Sequence, residues 1–146
     1  MRTLILTHGN LAHELLASAE VIAGKQDCLQ ALALDWNDSF EQLQEKLGEA
    51  LHRLDDGSGL LILTDMFGGT PCNVALTFAQ PGKVEVVTGV NLPMVLRLGC
   101  SPGEQRGVEE IAKWLQCKGQ QSICLASHMG CGKPAGADNG RGDRRS

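Results

Sequence analysis

Aromatic side chains are nearly absent from this 146-residue chain. They make up 3% of it, with two Trp, three Phe and no Tyr, so the core has to be built from aliphatic residues. Long apolar runs are missing too, and stretches such as Gly59 to Leu63 are far too short to cross a bilayer. Positive charge is not in excess, because 13 basic and 17 acidic residues give a net charge of −4. This balance argues against nucleic acid as a partner.

The chain also lacks the marks of an exported protein. One Arg precedes a strand-like run that leads straight into His8, and no small-residue cleavage site follows, so we predict no signal peptide. The six cysteines do not have the compact spacing of a disulfide framework. We therefore expect reduced thiols in a cytoplasmic protein.

Short apolar runs alternate with amphipathic segments over residues 1–126, which we interpret as one domain. Four runs predict buried strands, at residues 3–7, 29–34, 60–63 and 84–88. Helical spacing predicts helices at about 11–22, 40–54, 71–79, 93–98 and 108–117. This alternation predicts an α/β fold: a doubly wound, mainly parallel open sheet of four strands with helices on both faces.

Several details of the elements follow from local signals. Asn10 and Thr70 are expected to cap the first and third helices, with Pro71 in the first helical turn. Asp38 and Glu41 have the spacing of a capping box for the second helix. The apolar piece from Ser122 to Leu125 is a candidate for a fifth, antiparallel edge strand. Residues 127–146 are rich in Gly and Arg and are expected to remain an unfolded tail.

Two residues that can carry chemistry follow predicted strands directly. His8 comes after the first strand and Asp65 after the third, and ligands of such sheets bind beyond the carboxyl ends of the strands. If these strands are neighbours, the carboxylate can accept a proton from one imidazole nitrogen and fix the tautomer. The other nitrogen is then a nucleophile that can attack a phosphoryl group.

A glycine-rich turn before the third predicted helix offers a place for the phosphoryl oxygens. Backbone amides at a helix start favour an anion, and glycines allow close approach. We expect Gly68, Gly69, Thr70 and Cys72 to contact the phosphate, although a packing role is the alternative for the Cys72 thiol. No Walker lysine motif is present, so a nucleotide is not the expected donor, and the site is expected to use no cofactor or metal.

Each of these features also has a purely structural interpretation. A histidine after a strand is commonly a turn residue, and an aspartate there often caps the next turn. A Gly-Gly-Thr-Pro segment can be no more than a tight loop before a helix. Their joint occurrence at the expected ligand edge favours the functional interpretation.

Three sequence blocks resemble the mannose-family IIA domain of the bacterial sugar phosphotransferase system, over roughly residues 1–125. They are Thr7-His8-Gly9 with Leu15, Leu16 and Glu20; Leu63-Thr64-Asp65-Met66-Phe67-Gly68-Gly69-Thr70-Pro71-Cys72-Asn73; and Gly89-Val90-Asn91-Leu92-Pro93-Met94. The central block is the specific part. The family often has Trp where Phe67 stands and an aromatic residue where Cys72 stands, and neither change removes a charge or a donor.

The resemblance implies a phosphotransferase that acts as a carrier. His8 matches the histidine that accepts a phosphoryl group from the phosphocarrier protein HPr and passes it to a IIB component. Asp65 matches the aspartate that orients this histidine, and Thr70 matches a hydroxyl residue near the phosphate. The family implies a link to a IIC/IID permease at the membrane, and a homodimer that shares an edge strand near Ser122 to Leu125.

Three alternatives remain open from the sequence. The phosphotransferase subunit of dihydroxyacetone kinase is similar, although the Phe67 to Pro71 block favours the sugar-transport branch. Another alternative is a regulatory protein of an incomplete transport system that binds a partner according to its phosphorylation state. The third is a zinc module made by Cys117, Cys124, His128 and Cys131, but this spacing matches no usual zinc pattern.

Overall fold

The computed structural model describes residues 1–99 and 106–128. It contains each of the four predicted strands, within one residue of the predicted ends. They are β1 (Arg2–Thr7), β2 (Leu29–Ala33), β3 (Leu60–Thr64) and β4 (Val84–Thr88). The two central strands are buried, with all five residues of β3 and all of β1 after Arg2 in the core, whereas β2 and β4 at the sheet edges are only partly buried.

The strands form one parallel sheet in the order β2-β1-β3-β4. β1 and β3 are therefore neighbours, with Leu6 opposite Thr64 in their register. The residues that follow them, His8 and Asp65, consequently leave the sheet side by side at its carboxyl edge.

Five helices cover the sheet in the described part of the chain. They are α1 (Leu11–Ala23), α2 (Phe40–Leu54), α3 (Thr70–Leu76), α4 (Leu92–Gly99) and α5 (Val108–Gln121). Ile5, Leu61 and Leu63 form one core with residues of α1, α4 and α5. The alternate residues Leu4 and Ile62 point to the opposite face and form a second core with α2 and α3. The predicted doubly wound α/β fold with helices on both faces is thus confirmed.

Two helix starts differ from the prediction. The capping box of α2 is one residue later than expected, because Ser39 accepts from the backbone of Gln42 and the Gln42 side chain accepts from the backbone of Ser39. Asp38, which lies just before α2, instead forms an ion pair with Lys46 of that helix. Asn10 occupies the expected cap position of α1 but makes no side-chain cap bond.

The third helix begins at Thr70, with Gly69 rather than Thr70 in the cap position, and it ends at Leu76. The predicted end at Ala79 is wrong, because Thr77 turns the chain: its hydroxyl donates to the Val74 carbonyl, and its backbone N–H bonds to the same turn.

The candidate fifth strand is not formed. α5 continues to Gln121, and the Ser122 hydroxyl then donates to the Gly119 carbonyl and accepts from the Asn91 amide, which ends the helix in a turn. Ile123 and Leu125 are 80% and 65% exposed and pair with no strand among the described residues.

Only some of the predictions for the C-terminal part fall on residues that the structure describes. The expected tail lies outside the described residues from residue 129 onward, as do Cys100 and Cys131. Cys28, Cys72 and Cys117 are free thiols, whereas Cys124 is disulfide-bonded, contrary to the expectation of reduced cysteines. None of the helices in residues 1–99 and 106–128 has the length and apolar character that crossing a bilayer requires.

Candidate functional site

His8 and Asp65 contact each other at the carboxyl edge of the sheet. Nδ1 of His8 lies 2.7 Å from Oδ2 of Asp65, and the backbone N–H of His8 donates to the same oxygen at 3.1 Å. Their side chains are 27% and 14% exposed, so the pair is partly screened from water yet reachable from outside. An ionised carboxylate can only accept, so in the neutral imidazole Nδ1 carries the proton and Nε2 keeps its lone pair.

The second carboxylate oxygen of Asp65 is also held. Oδ1 accepts the backbone N–H of Met66 at 3.1 Å. Burial raises the pKa of Asp65, but the side-chain hydrogen bond, the backbone N–H and the charge of His8 together place this pKa below its usual value of 3.8. Asp65 is therefore ionised at neutral pH and acts as a fixed acceptor for the imidazole.

Gly69 lies against the imidazole edge that carries Nε2. A Cβ atom built at Gly69 would lie 2.7 Å from Cε1 and 3.2 Å from Nε2 of His8, so only glycine leaves the ring in this place. Gly68 before it has a φ of 81°, the left-handed conformation that glycine adopts at little cost. The two glycines thus bring the backbone before α3 next to the imidazole.

A cavity of about 120 Å³ opens beside His8. Thr70 and Pro71 from the start of α3 line one side, and Asp35, Trp36 and Asp38 from the loop after β2 line the other. Gly68, Gly69 and Cys72 are not part of this lining, and Cys72 is only 1% exposed. Of the predicted phosphate-binding residues, Gly69 lies against the His8 ring and Thr70 lines the same cavity as His8. Phosphate contact by Gly68, Gly69, Thr70 and Cys72 stays a prediction.

Sequence reasoning missed Trp36. Its ring stacks on the His8 imidazole, with ring centroids 5.3 Å apart and an interplanar angle of 28°. The signal that could have found it is positional, because Trp36 follows the second strand and so belongs to the same carboxyl edge as His8. A large aromatic side chain in an otherwise aromatic-poor chain was a second, weaker signal.

The zinc alternative has no support in the described residues, where no three His, Cys, Asp or Glu side chains come together to hold a metal ion. Cys124 is engaged in a disulfide, and Cys131 lies outside the described part. The chemistry that the described site offers is instead nucleophilic: Nδ1 of the imidazole is bound to a carboxylate, and the histidine lines a small cavity.

Comparison with known proteins gives consistent results. Residues 2–114 match the family model described as "PTS system fructose IIA component". The fructose-specific EIIA component of Bacillus subtilis (strain 168) is 32% identical over 137 residues, which cover 92% of this chain and 93% of that protein. The mannose-specific EIIAB component of Escherichia coli (strain K12) is 30% identical over 118 residues, which cover 80% of this chain and 36% of that protein.

Solved structures lead to the same family. The mannose/sorbose-specific IIA subunit of the phosphotransferase system from Enterococcus faecalis superimposes with a TM-score of 0.74 at 33% sequence identity, covering 84% of this chain and 92% of that one. With a family match over most of the chain, a relative matched over 93% of its length at 32% identity and this structural similarity, the chain belongs to the mannose/fructose family of IIA components of the sugar phosphotransferase system.

Proposed function

We propose that this protein carries a phosphoryl group on Nε2 of His8, accepting it from phospho-HPr and passing it to a IIB component. The observation that carries the proposal is the 2.7 Å contact between Nδ1 and Asp65, because it leaves Nε2 as the free nucleophile beside the cavity. The Nε2 lone pair attacks phosphorus, and the bond from phosphorus to the donor atom breaks. The donor leaves with that electron pair, and the reverse events at His8 deliver the group to the next carrier.

Two neighbouring groups support the phosphorylated state. Thr70 lines the same cavity as His8, which supports its hydroxyl as a donor to a phosphoryl oxygen. Asp65 remains ionised and bonded to Nδ1, so it also balances positive charge on the ring when phosphorus draws electrons from it.

Labelling with phosphoenolpyruvate, enzyme I and HPr tests this function. We expect one phosphoryl group per chain, with the acid-labile and base-stable behaviour of phosphohistidine. His8→Ala should abolish the label, whereas His13→Ala and His52→Ala, at exposed positions on α1 and α2, should keep it. A label that persists in His8→Ala, or its absence from the wild-type protein, would reject the proposal.

The family also supports a proposal about partners and location. The protein would act in the cytoplasm, reach the membrane through the IIC/IID permease complex, and form a homodimer through the segment from Ser122 to Leu125. In the single chain Ile123 and Leu125 are exposed and so are free to contact a second copy. Sedimentation should show a dimer that Ile123→Asp with Leu125→Asp converts to a monomer, and a wild-type monomer at micromolar concentration would contradict this part.

A further inference from the structure

Trp36 makes an unusual contact for such an exposed side chain. It is 72% exposed, yet its ring lies over the His8 imidazole at a centroid distance of 5.3 Å and an angle of 28°. These values fall in the range of offset-stacked aromatic pairs, which contribute energy beyond the apolar area they bury. The exposed indole is therefore held at the site by its stacking contact with His8.

The loop that carries Trp36 is fixed at both ends. The Asp38 N–H donates to the Asp35 carbonyl at 3.1 Å, and the Asn37 N–H donates to Oδ1 of Asp35 at 2.9 Å. This turn follows Leu34, which is buried in the core beneath α2, and precedes Ser39, which caps α2. Trp36 thus sits at a defined position of a tight turn between two anchored residues.

With Trp36 included, the imidazole is restrained from three directions. Asp65 holds Nδ1, the Gly69 backbone lies against the edge at Cε1, and the indole covers a ring face. The hydrogen bond to Asp65 alone allows the ring to rotate about the axis of that bond. A stacked neighbour opposes this rotation, because tilting the imidazole would break the offset-stacked contact with the indole.

We propose that Trp36 is a positioning residue for phosphoryl transfer, holding the plane of the His8 ring so that the Nε2 lone pair points into the cavity. This inference rests on the proposed role of His8. Reactants that are already well oriented react faster, because less entropy is lost on reaching the transition state. A stacked pair is worth enough to change a rate by about two- to tenfold.

Three substitutions separate stacking from apolar cover. Trp36→Phe keeps an aromatic face, Trp36→Leu keeps apolar area without one, and Trp36→Ala removes both. We expect Trp36→Phe to retain at least half of the wild-type rate, and Trp36→Leu and Trp36→Ala to lose about two- to tenfold. Trp114→Phe is the matched control, since Trp114 packs on the opposite face of the sheet in α5 and should leave the rate unchanged.

The phosphoryl donor in this experiment is phosphoramidate, which needs no protein partner. Nε2 forms the new bond to phosphorus, the phosphorus–nitrogen bond of phosphoramidate breaks, and ammonia leaves. The rate loss should appear with phosphoramidate as well as with phospho-HPr. A loss confined to phospho-HPr would overturn the inference, because Trp36 would then act in partner docking.

Nuclear magnetic resonance gives a readout that does not depend on phosphorylation. The indole ring current should shift the Cε1 proton of His8 upfield, and this shift should disappear in Trp36→Leu but largely persist in Trp36→Phe. If the wild-type protein is labelled on His8 and Trp36→Leu keeps both rate and shift, the inference fails while the proposed function stands. If the shift is lost in Trp36→Leu as expected but the wild-type protein itself is not labelled, the proposed function fails.

Discussion

A single oxygen of Asp65 holds His8 twice: Oδ2 lies 2.7 Å from Nδ1 of the imidazole and 3.1 Å from the backbone nitrogen of the same residue. The contact exists because β1 and β3 are adjacent parallel strands whose carboxyl ends lie within one residue of each other in register. Backbone and side chain of His8 are consequently oriented by one carboxylate, which links the register of the sheet to the direction in which Nε2 points.

Asp65→Asn should slow the phosphorylation of His8 by about tenfold or more. The amide keeps the shape of the side chain but replaces a charged acceptor, and hydrogen bonds to charged groups contribute roughly 1.5–3 kcal/mol. The initial rate of labelling from phospho-HPr measures the effect. Asp27→Asn, an exposed carboxylate before β2, is the control and should be neutral. An unchanged rate in Asp65→Asn would reject the orienting role.

The titration of Asp65 itself should report the contact. Burial raises its pKa, and the bonds and charge of His8 lower it further than burial raises it, so the midpoint in the folded protein should lie below 3.8. Because the folded pKa is lowered, the pair stabilises the fold above pH 3.8, and this contribution disappears as the pH falls through the folded value. Carboxyl ¹³C resonances should show this midpoint, and His8→Ala should raise it, because burial stays while the ring bond and charge are lost. Equal midpoints would contradict the coupling.

The sequence was sufficient for the sheet and for the core of the site. The two central strands carry the apolar runs Leu4–Leu6 and Leu60–Leu63, so local pattern and tertiary burial agree there, while the edge strands β2 and β4 include Gln30 and Glu85 and are only partly buried. His8 and Asp65 could be placed at the ligand edge because each directly follows such a run. Their contact needed one more fact, the adjacency of β1 and β3, which is a property of the fold and not of any local segment.

The wrong and missed predictions share a cause. In each, the local sequence allows more than one structure, and tertiary contacts determine which one forms. Asp38 and Ser39 are both good cap residues, and Asp38 is engaged by Lys46 while Ser39 caps α2. Ser122 to Leu125 has the apolar content of a strand but has no neighbour to pair with in the described chain. Trp36 reaches His8 only because of the turn that Asp35 and Asp38 close, which residue spacing does not reveal.

Gly69→Ala should slow phosphorylation of His8, while its loss of stability should differ little from that of the control Gly107→Ala. The added Cβ would lie 2.7 Å from Cε1 of His8, so the imidazole has to move away from Asp65 or from Trp36. Gly107→Ala is a closely matched control, because both glycines cap helices, with φ and ψ of −77° and 164° at Gly69 and −67° and 161° at Gly107. A Cβ at Gly107 meets nothing within 4 Å. Labelling rates and urea unfolding of both variants make the comparison, and equal rates would show that the ring tolerates the methyl group.

Two buried threonines at the ends of neighbouring strands should respond to valine in opposite directions. Thr7 and Thr64 are both 0% exposed. The Thr7 hydroxyl accepts the Ala12 N–H at 2.7 Å and donates to the His8 carbonyl at 3.2 Å, so it provides the cap bond for α1 that Asn10 does not make. The Thr64 hydroxyl has no hydrogen-bond partner in the part of the chain that the structure describes.

Valine has nearly the shape of threonine, so the substitutions isolate the hydroxyl groups. Thr7→Val should lower the free energy of unfolding by about 1–3 kcal/mol, because it leaves the Ala12 N–H buried without an acceptor. Thr64→Val should raise it by up to about 1 kcal/mol, because a buried hydroxyl without a partner is removed. Urea unfolding at neutral pH measures both. Destabilisation by Thr64→Val as large as that by Thr7→Val would mean that the Thr64 hydroxyl is hydrogen-bonded in solution, and the packing beneath the Asp65 turn would then need a bound water or a different rotamer.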